Sequence, residues 1–198
     1  MRMKNTLWLF VGTLLVLVSM SGCKMKTVNQ DVGLIADNIA NAVSQYSLQT
    51  DVIEHSGGIL NPRTIDDKGE VVYVPFDDWT SGFFPGSMWY MYQLTGDKKW
   101  KTLGQKYTEA IDSVQYLTWH HDVGFMAGCS FLNGMRLGDI DYTPIVVQAA
   151  RSLATRFRPE AGVIQSWDSD KGWQAKRGWK CPVIIDNMMN LELLFEAT

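Results

Sequence analysis

Histidine and cysteine are both scarce, three of each in 198 residues, and that scarcity removes several kinds of function at once. His55, His120 and His121 show no ligand spacing with the cysteines, so no metal site is expected. Cys23 closes an N-terminal apolar segment, which leaves Cys129 in a glycine-containing apolar stretch and Cys181 in a Trp-rich loop. Two such cysteines give no disulfide framework. Surplus positive charge is missing too: 18 Lys and Arg against 21 Asp and Glu give a formal net charge of -3. Without a basic stripe, nucleic acid is not an expected partner.

The apolar segment itself is informative. Arg2 and Lys4 precede an apolar run from Leu7 to Val18 that ends in Met20-Ser-Gly-Cys23, the pattern of an export signal rather than of a spanning helix. Small residues directly before a cysteine are what lipoprotein signal peptidase requires. Residues 1–23 are therefore expected to be a lipoprotein signal peptide, with Cys23 the lipidated first residue of the mature chain. The expected location is the bacterial cell envelope, as a periplasmic or outer-membrane lipoprotein touching the membrane only through its lipid.

Beyond Cys23 the chain reads as helical hairpins. The stripe Val32, Ile35, Ile39, Val43 and Tyr46 predicts a helix over 28–52. An irregular connection with Gly57-Gly58, Pro62 and Pro75 comes next, with room for a strand at Val71–Val74. Helices are expected over 80–95 and 97–117, split by Gly96 as a left-handed C-cap and Asp97 as the next N-cap. The pattern recurs over 124–138 and 141–157 around Gly138-Asp139, the second helix carrying Ile145, Ala149, Leu153 and Phe157. It begins a third time over 186–197. First helices that are apolar nearly all round, each followed by an amphipathic one, imply an inner and an outer layer, as in a closed ring of hairpins. Three inner helices are part of such a ring, so residues 24–198 are expected to be the N-terminal arc of one all-α domain. Such an arc alone should be marginal or inactive.

Tryptophan is abundant, eight residues, several in polar glycine-containing loops. Each such ring reads either as a lid on the core or as a surface for stacking on a sugar. Two aspartates stand out in the same way. Asp122 and Asp186 occupy equivalent places, each at the start of an inner helix and so at the same end of the ring. The bland reading is that both are N-caps. The other is a catalytic pair, because both carboxyls adjoin apolar residues, and burial beside a second carboxylate raises a carboxyl pKa toward what a general acid needs.

The segments Trp79-Thr-Ser-Gly-Phe-Phe-Pro-Gly86 with Leu94-Thr-Gly-Asp97, His121-Asp-Val-Gly-Phe125 and Ile185-Asp-Asn-Met-Met-Asn-Leu191 resemble those of the unsaturated glucuronyl hydrolases, glycoside hydrolase family 88. The resemblance implies an (α/α)6 barrel, a six-hairpin toroid, and no cofactor. Its implied substrate is a glycosaminoglycan-type oligosaccharide left by a polysaccharide lyase, with a 4,5-unsaturated uronic acid at its non-reducing end. It also implies Asp186 as general acid/base, Asp122 as second essential carboxylate, and His121, Trp79 and Trp167 as substrate contacts. Two rivals stand beside it: a helical surface lipoprotein that binds glycans without cleaving them, and an acid/base glycosidase of the same shape acting on saturated sugars.

Overall fold

The computed structural model describes residues 31–198, so the expected signal peptide and Cys23 lie outside the described residues. Packing divides the chain after Thr50 into two compact units. Residues 31–50 are continuous helix, the first part of α1, which covers 31–55. Of its expected apolar stripe, Val32 and Ile35 are exposed while Ile39, Val43 and Tyr46 are half-buried.

Residues 51–198 carry the rest. The connection after α1 is more ordered than expected: β1 (Asn61–Ile65) pairs antiparallel with β2 (Val71–Val74). Pro62 masks β1 in the sequence, yet a two-stranded ribbon has only edges, where proline is tolerated. The turn is built by Asp66 Oδ1, which accepts the N–H groups of Lys68 and Glu70, both at 2.9 Å.

The first helical hairpin is α2 (Phe83–Thr95) and α3 (Lys98–Glu109). Its turn matches the sequence reading. Gly96 sits at φ 70° with its N–H on the Tyr92 carbonyl, and Asp97 accepts the Lys99 N–H at 2.9 Å. α2 starts later than expected because the Asp78 carboxylate takes the Thr80 N–H and hydroxyl, holding that stretch in turns. The helix expected to reach residue 117 stops at Glu109 and resumes as a 3-10 turn over Asp112–Tyr116, with Val114 and Leu117 still buried.

The helix expected over 124–138 is three pieces: α4 (Val123–Ala127), a π turn over Gly128–Leu132 and α5 (Asn133–Gly138). Then come α6 (Thr143–Ala154), a short hairpin of β3 (Phe157–Arg158) with β4 (Val163–Ile164), the single turn α7 (Gly172–Ala175) and α8 (Asn187–Glu196). Phe157, expected on the core stripe, is 47% exposed, and Arg156 points inward in its place at 3%. Gly138 does not supply the helix break; Asp139 takes the left-handed conformation at φ 54°. Gly138 is small for a different reason. Trp89 is fully buried, its Nε1 donating to Thr108 Oγ1 at 3.0 Å, and a methyl on Gly138 would come within 2.6 Å of its ring.

α2, the α4–α5 segment and α8 form one neighbouring set, with α3 against α2 and α6 against α4 and α8. The core shared by the α4–α5 segment, α6 and α8 includes Met126, Phe131, Val146, Leu153 and Leu193. This is the inner and outer layering read from the hairpin pattern. On α8 and the residue leading into it, Ile185, Met188, Leu191 and Phe195 are exposed. Among the described residues no helix is long and apolar enough to cross a membrane.

Candidate active site

α4 is entered through Trp119-His120-His121-Asp122 and α8 through the loop that ends in Ile185-Asp186. Because α4 and α8 pack on each other, their starts come together. One side-chain atom each of His121, Asp122 and Asp186 lie within 4.8 Å of one another. Neither carboxyl makes the capping hydrogen bond expected of an N-cap aspartate. Asp122 turns instead to the histidines: its Oδ1 lies 3.1 Å from His121 Nε2 and its Oδ2 3.1 Å from His120 Nδ1. His120 Nδ1 also lies 3.3 Å from the Asp122 backbone nitrogen, so without a proton on Nδ1 the ring accepts that backbone hydrogen bond and with one it donates to the carboxylate.

Burial pushes the Asp186 carboxyl above its ordinary value; His121 opposes the shift and the negative charge of Asp122 adds to it. Burial holds the His121 imidazole below its ordinary value against the pull of Asp122 and Asp186. Around neutral pH His121 is therefore a neutral ring with its N–H at Nε2 directed to Asp122. Its Nδ1 and Oδ1 of Asp186 are buried with no hydrogen-bond partner, so each has hydrogen-bonding capacity that the fold leaves unused. The same three side chains have the spacing of a cation cluster. His121 Nε2 and Asp122 Oδ1 are engaged with each other at 3.1 Å.

A cavity of about 350 Å³ opens beside His121 and Asp122, bounded also by Trp119, His120, Trp167 and Asp168 among others. Trp167 meets the His121 ring edge-on at 6.1 Å. Trp79 is not brought to this cavity. It is part of an aromatic trio with Phe83 at 5.6 Å and Phe125 at 6.2 Å, three residues beyond Asp122. Sequence reasoning missed several residues. Trp173 and Trp179 surround Trp167 at 5.1 and 6.1 Å, with the Arg177 guanidinium 5.3 Å from both of their ring centres. Arg156 stitches the two loops of the site: Nη1 donates to the Trp119 carbonyl at 2.8 Å, Nε to the Gln165 carbonyl at 2.9 Å, and Nη2 to Asp168 at 3.1 Å. The signal for Arg156 was a charge inside an apolar helical stripe.

No protein-family model matches the chain. Over 140 residues it is 43% identical to an unsaturated glucuronyl hydrolase of Formosa agariphila, covering 69% of this chain and 34% of that protein. Its homologues are unsaturated glucuronyl hydrolases. A second, from Bacillus sp., is 32% identical over 141 residues, with 69% of this chain and 36% of that protein covered. The crystal structure of an unsaturated glucuronyl hydrolase specific for heparin aligns with TM-score 0.63 at 42% identity, over 70% of this chain and 36% of that one. These homologues are glycoside hydrolases with an (α/α)6 barrel, and the chain covers part of that fold. It spans about a third of the length of the curated unsaturated glucuronyl hydrolases it matches.

Proposed function

We propose that the chain carries the proton-transfer centre of an unsaturated glucuronyl hydrolase. The observation that supports this most is the meeting of Asp122, Asp186 and His121 with neither carboxyl spent as a helix cap. Asp186, its carboxyl pKa raised, is the general acid that protonates C4 of the vinyl ether in a 4,5-unsaturated uronic acid. The resulting carboxylate then takes a proton from the water that adds at C5. The product is a C5 hemiketal, which opens to a ketone; C1 is left as a hemiacetal that expels the rest of the oligosaccharide as an alcohol. One water is consumed and no cofactor is used. Asp122 holds the neighbouring negative charge and orients His121, while His121 and Trp167 line the sugar side; Trp79 stays outside this cavity with Phe83 and Phe125. The substrate class is a glycosaminoglycan-type oligosaccharide, in keeping with the heparin-specific homologue.

The test is to mix the protein in its full natural length with an unsaturated uronyl disaccharide in heavy water and follow the near-ultraviolet absorbance of the C4=C5 bond. Loss of absorbance with one deuterium delivered to C4 is expected. Binding without bleaching would replace the reading by a glycan-binding one, and cleavage of saturated glycosides by an ordinary glycosidase.

We also propose that this enzyme is tethered in the cell envelope by lipid on Cys23, on the strength of the charged start, the apolar run and the small residues before that cysteine. Grown with an alkyne-bearing fatty acid, cells should label the wild-type protein and not a Cys23→Ala variant. Equal labelling of both would rule out Cys23 as the lipid site.

A further inference from the structure

Asn190 lies on α8 four residues after Asp186 and is completely buried. A buried amide is costly unless both its ends are satisfied. Here they are: Oδ1 accepts the Gly124 N–H at 3.0 Å and Nδ2 donates to Asn187 Oδ1 at 2.7 Å. Asn187 Nδ2 in turn donates to the Ile164 carbonyl at 2.8 Å. A single file of hydrogen bonds thus runs from β4 through the first turn of α8 to the first turn of α4.

Its end point is telling. Gly124 is the second residue of α4, and its N–H is one of the four at a helix start that have no partner within the helix. That N–H is an ordinary target of the N-cap side chain, which here would be Asp122. Asp122 is occupied by His120 and His121, and the cap arrives from the neighbouring helix instead. The helices touch at this point: a methyl on Gly124 would fall 2.3 Å from Asn190 Oδ1 and 2.7 Å from its Cα.

We propose that Asn190, seated by Asn187, caps α4 in place of Asp122 and thereby sets the separation of the Asp122 and Asp186 carboxyls. Asn190 is a positioning residue for the proton transfer, and this role rests on the catalytic reading of those carboxyls. Without it, Asp122 is free to swing back to its own helix start, away from His121 and Asp186, and α4 and α8 lose the polar bond across their closest approach.

The charged groups facing Asp186 are few, which makes it a clean reporter. They are His121 and Asp122 from the α4 side; Arg156 and His120 act on His121. On the other elements against α8, α6 carries only Arg151, which is exposed. Glu192 and Glu196 of α8 itself are paired with Arg136.

The experiment labels aspartate carboxyl carbons in the full-length protein and titrates Asp186 by NMR. In wild type its midpoint should lie above the ordinary carboxylate range, because of burial and Asp122. In Asn190→Ala it should fall back toward that range, and by less in Asn187→Ala, which unseats the cap without deleting it. Gly124→Ala, which keeps every polar group but forces the helices apart, should also lower it. Turnover of the unsaturated disaccharide should drop by roughly 100-fold in kcat for Asn190→Ala with KM little changed, as expected for a displacement of about an ångström at the reacting groups. A folded Asn190→Ala protein with the wild-type Asp186 midpoint overturns the proposal. Should that variant not fold, an unmoved midpoint in Asn187→Ala overturns it equally. The titration needs no substrate, so a shifted midpoint in a protein that never bleaches the disaccharide keeps Asn190 as the group that spaces the two carboxyls and discards the hydrolase.

Discussion

Asp186→Asn is expected to cost about 100- to 10,000-fold in turnover, the usual worth of general acid–base catalysis, while moving the melting temperature by only about a degree. The side chain keeps its size, and a cap exchanged for Asn changes stability by about a few tenths of a kcal/mol at most. Here the carboxyl makes no capping hydrogen bond to lose. Its titration adds a sign that a purely structural aspartate would not give. The folded-state pKa of Asp186 is raised, so the stability it lends is present below the unfolded pKa and is lost as pH rises through the folded one. Asparagine has no proton to lose. Relative to wild type, the variant should therefore melt higher at neutral pH than it does in acid, and melts at the two pH values read this directly. Asp122→Asn removes the negative charge that helps hold the Asp186 proton, so it should move the alkaline limb of the kcat profile to lower pH and lower the rate as well. Wild-type turnover in both Asn variants would return the two aspartates to the status of helix starts.

The parts of this molecule legible in its sequence are those fixed by local chemistry. Gly96-Asp97 works as read because a left-handed C-cap and an N-cap need only those two residues. The inner and outer helices follow from where apolar residues recur, and the meeting of Asp122 with Asp186 follows from both standing at equivalent helix starts. Long-range packing is where sequence reasoning failed. Gly138 looked like a helix breaker, but it is small because Trp89, almost fifty positions earlier, lies against it. Phe157 looked like core, yet it is exposed and Arg156 points inward in its place, because two loops distant in sequence need one guanidinium between them. Trp79 shares its composition and loop setting with Trp167, yet only Trp167 borders the cavity. The π turn at Gly128–Leu132 had no sequence signal at all. Asn190 stands within a recognisable motif, but its partner, the N–H of Gly124, is visible only once α4 and α8 are in contact.

Arg156→Met should be the most destabilising single change at the site, costing about 3 to 5 kcal/mol and lowering the melting temperature by roughly 10 °C. The methionine fills much of the space and keeps the apolar stem, so the loss is the guanidinium itself. Arg156 is 3% exposed, and its guanidinium supplies the Trp119, Gln165 and Ser166 carbonyls as well as Asp168. A buried acceptor left without its donor costs about 1 to 3 kcal/mol, and the Gln165 and Ser166 carbonyls are orphaned together with the part-buried Trp119 carbonyl, relieved only as far as the two loops can open to water. The ion pair is the smaller part. The Asp168 carboxylate is partly exposed and shares its charge with Lys171 at 3.3 Å, so Asp168→Asn should cost under about 1 kcal/mol. Arg156→Lys should fall between, because an ammonium has no fork with which to reach both loops. The loops in question carry His121 on one side and Trp167 on the other, so loosening them should also free the His121 ring. With the nearby positive charge gone, the imidazole should hold its proton to higher pH than in wild type. Thermal melts of the three variants beside an imidazole NMR titration separate the effects. If Asp168→Asn proves as costly as Arg156→Met, the ion pair and not the carbonyl stitching holds the two loops together.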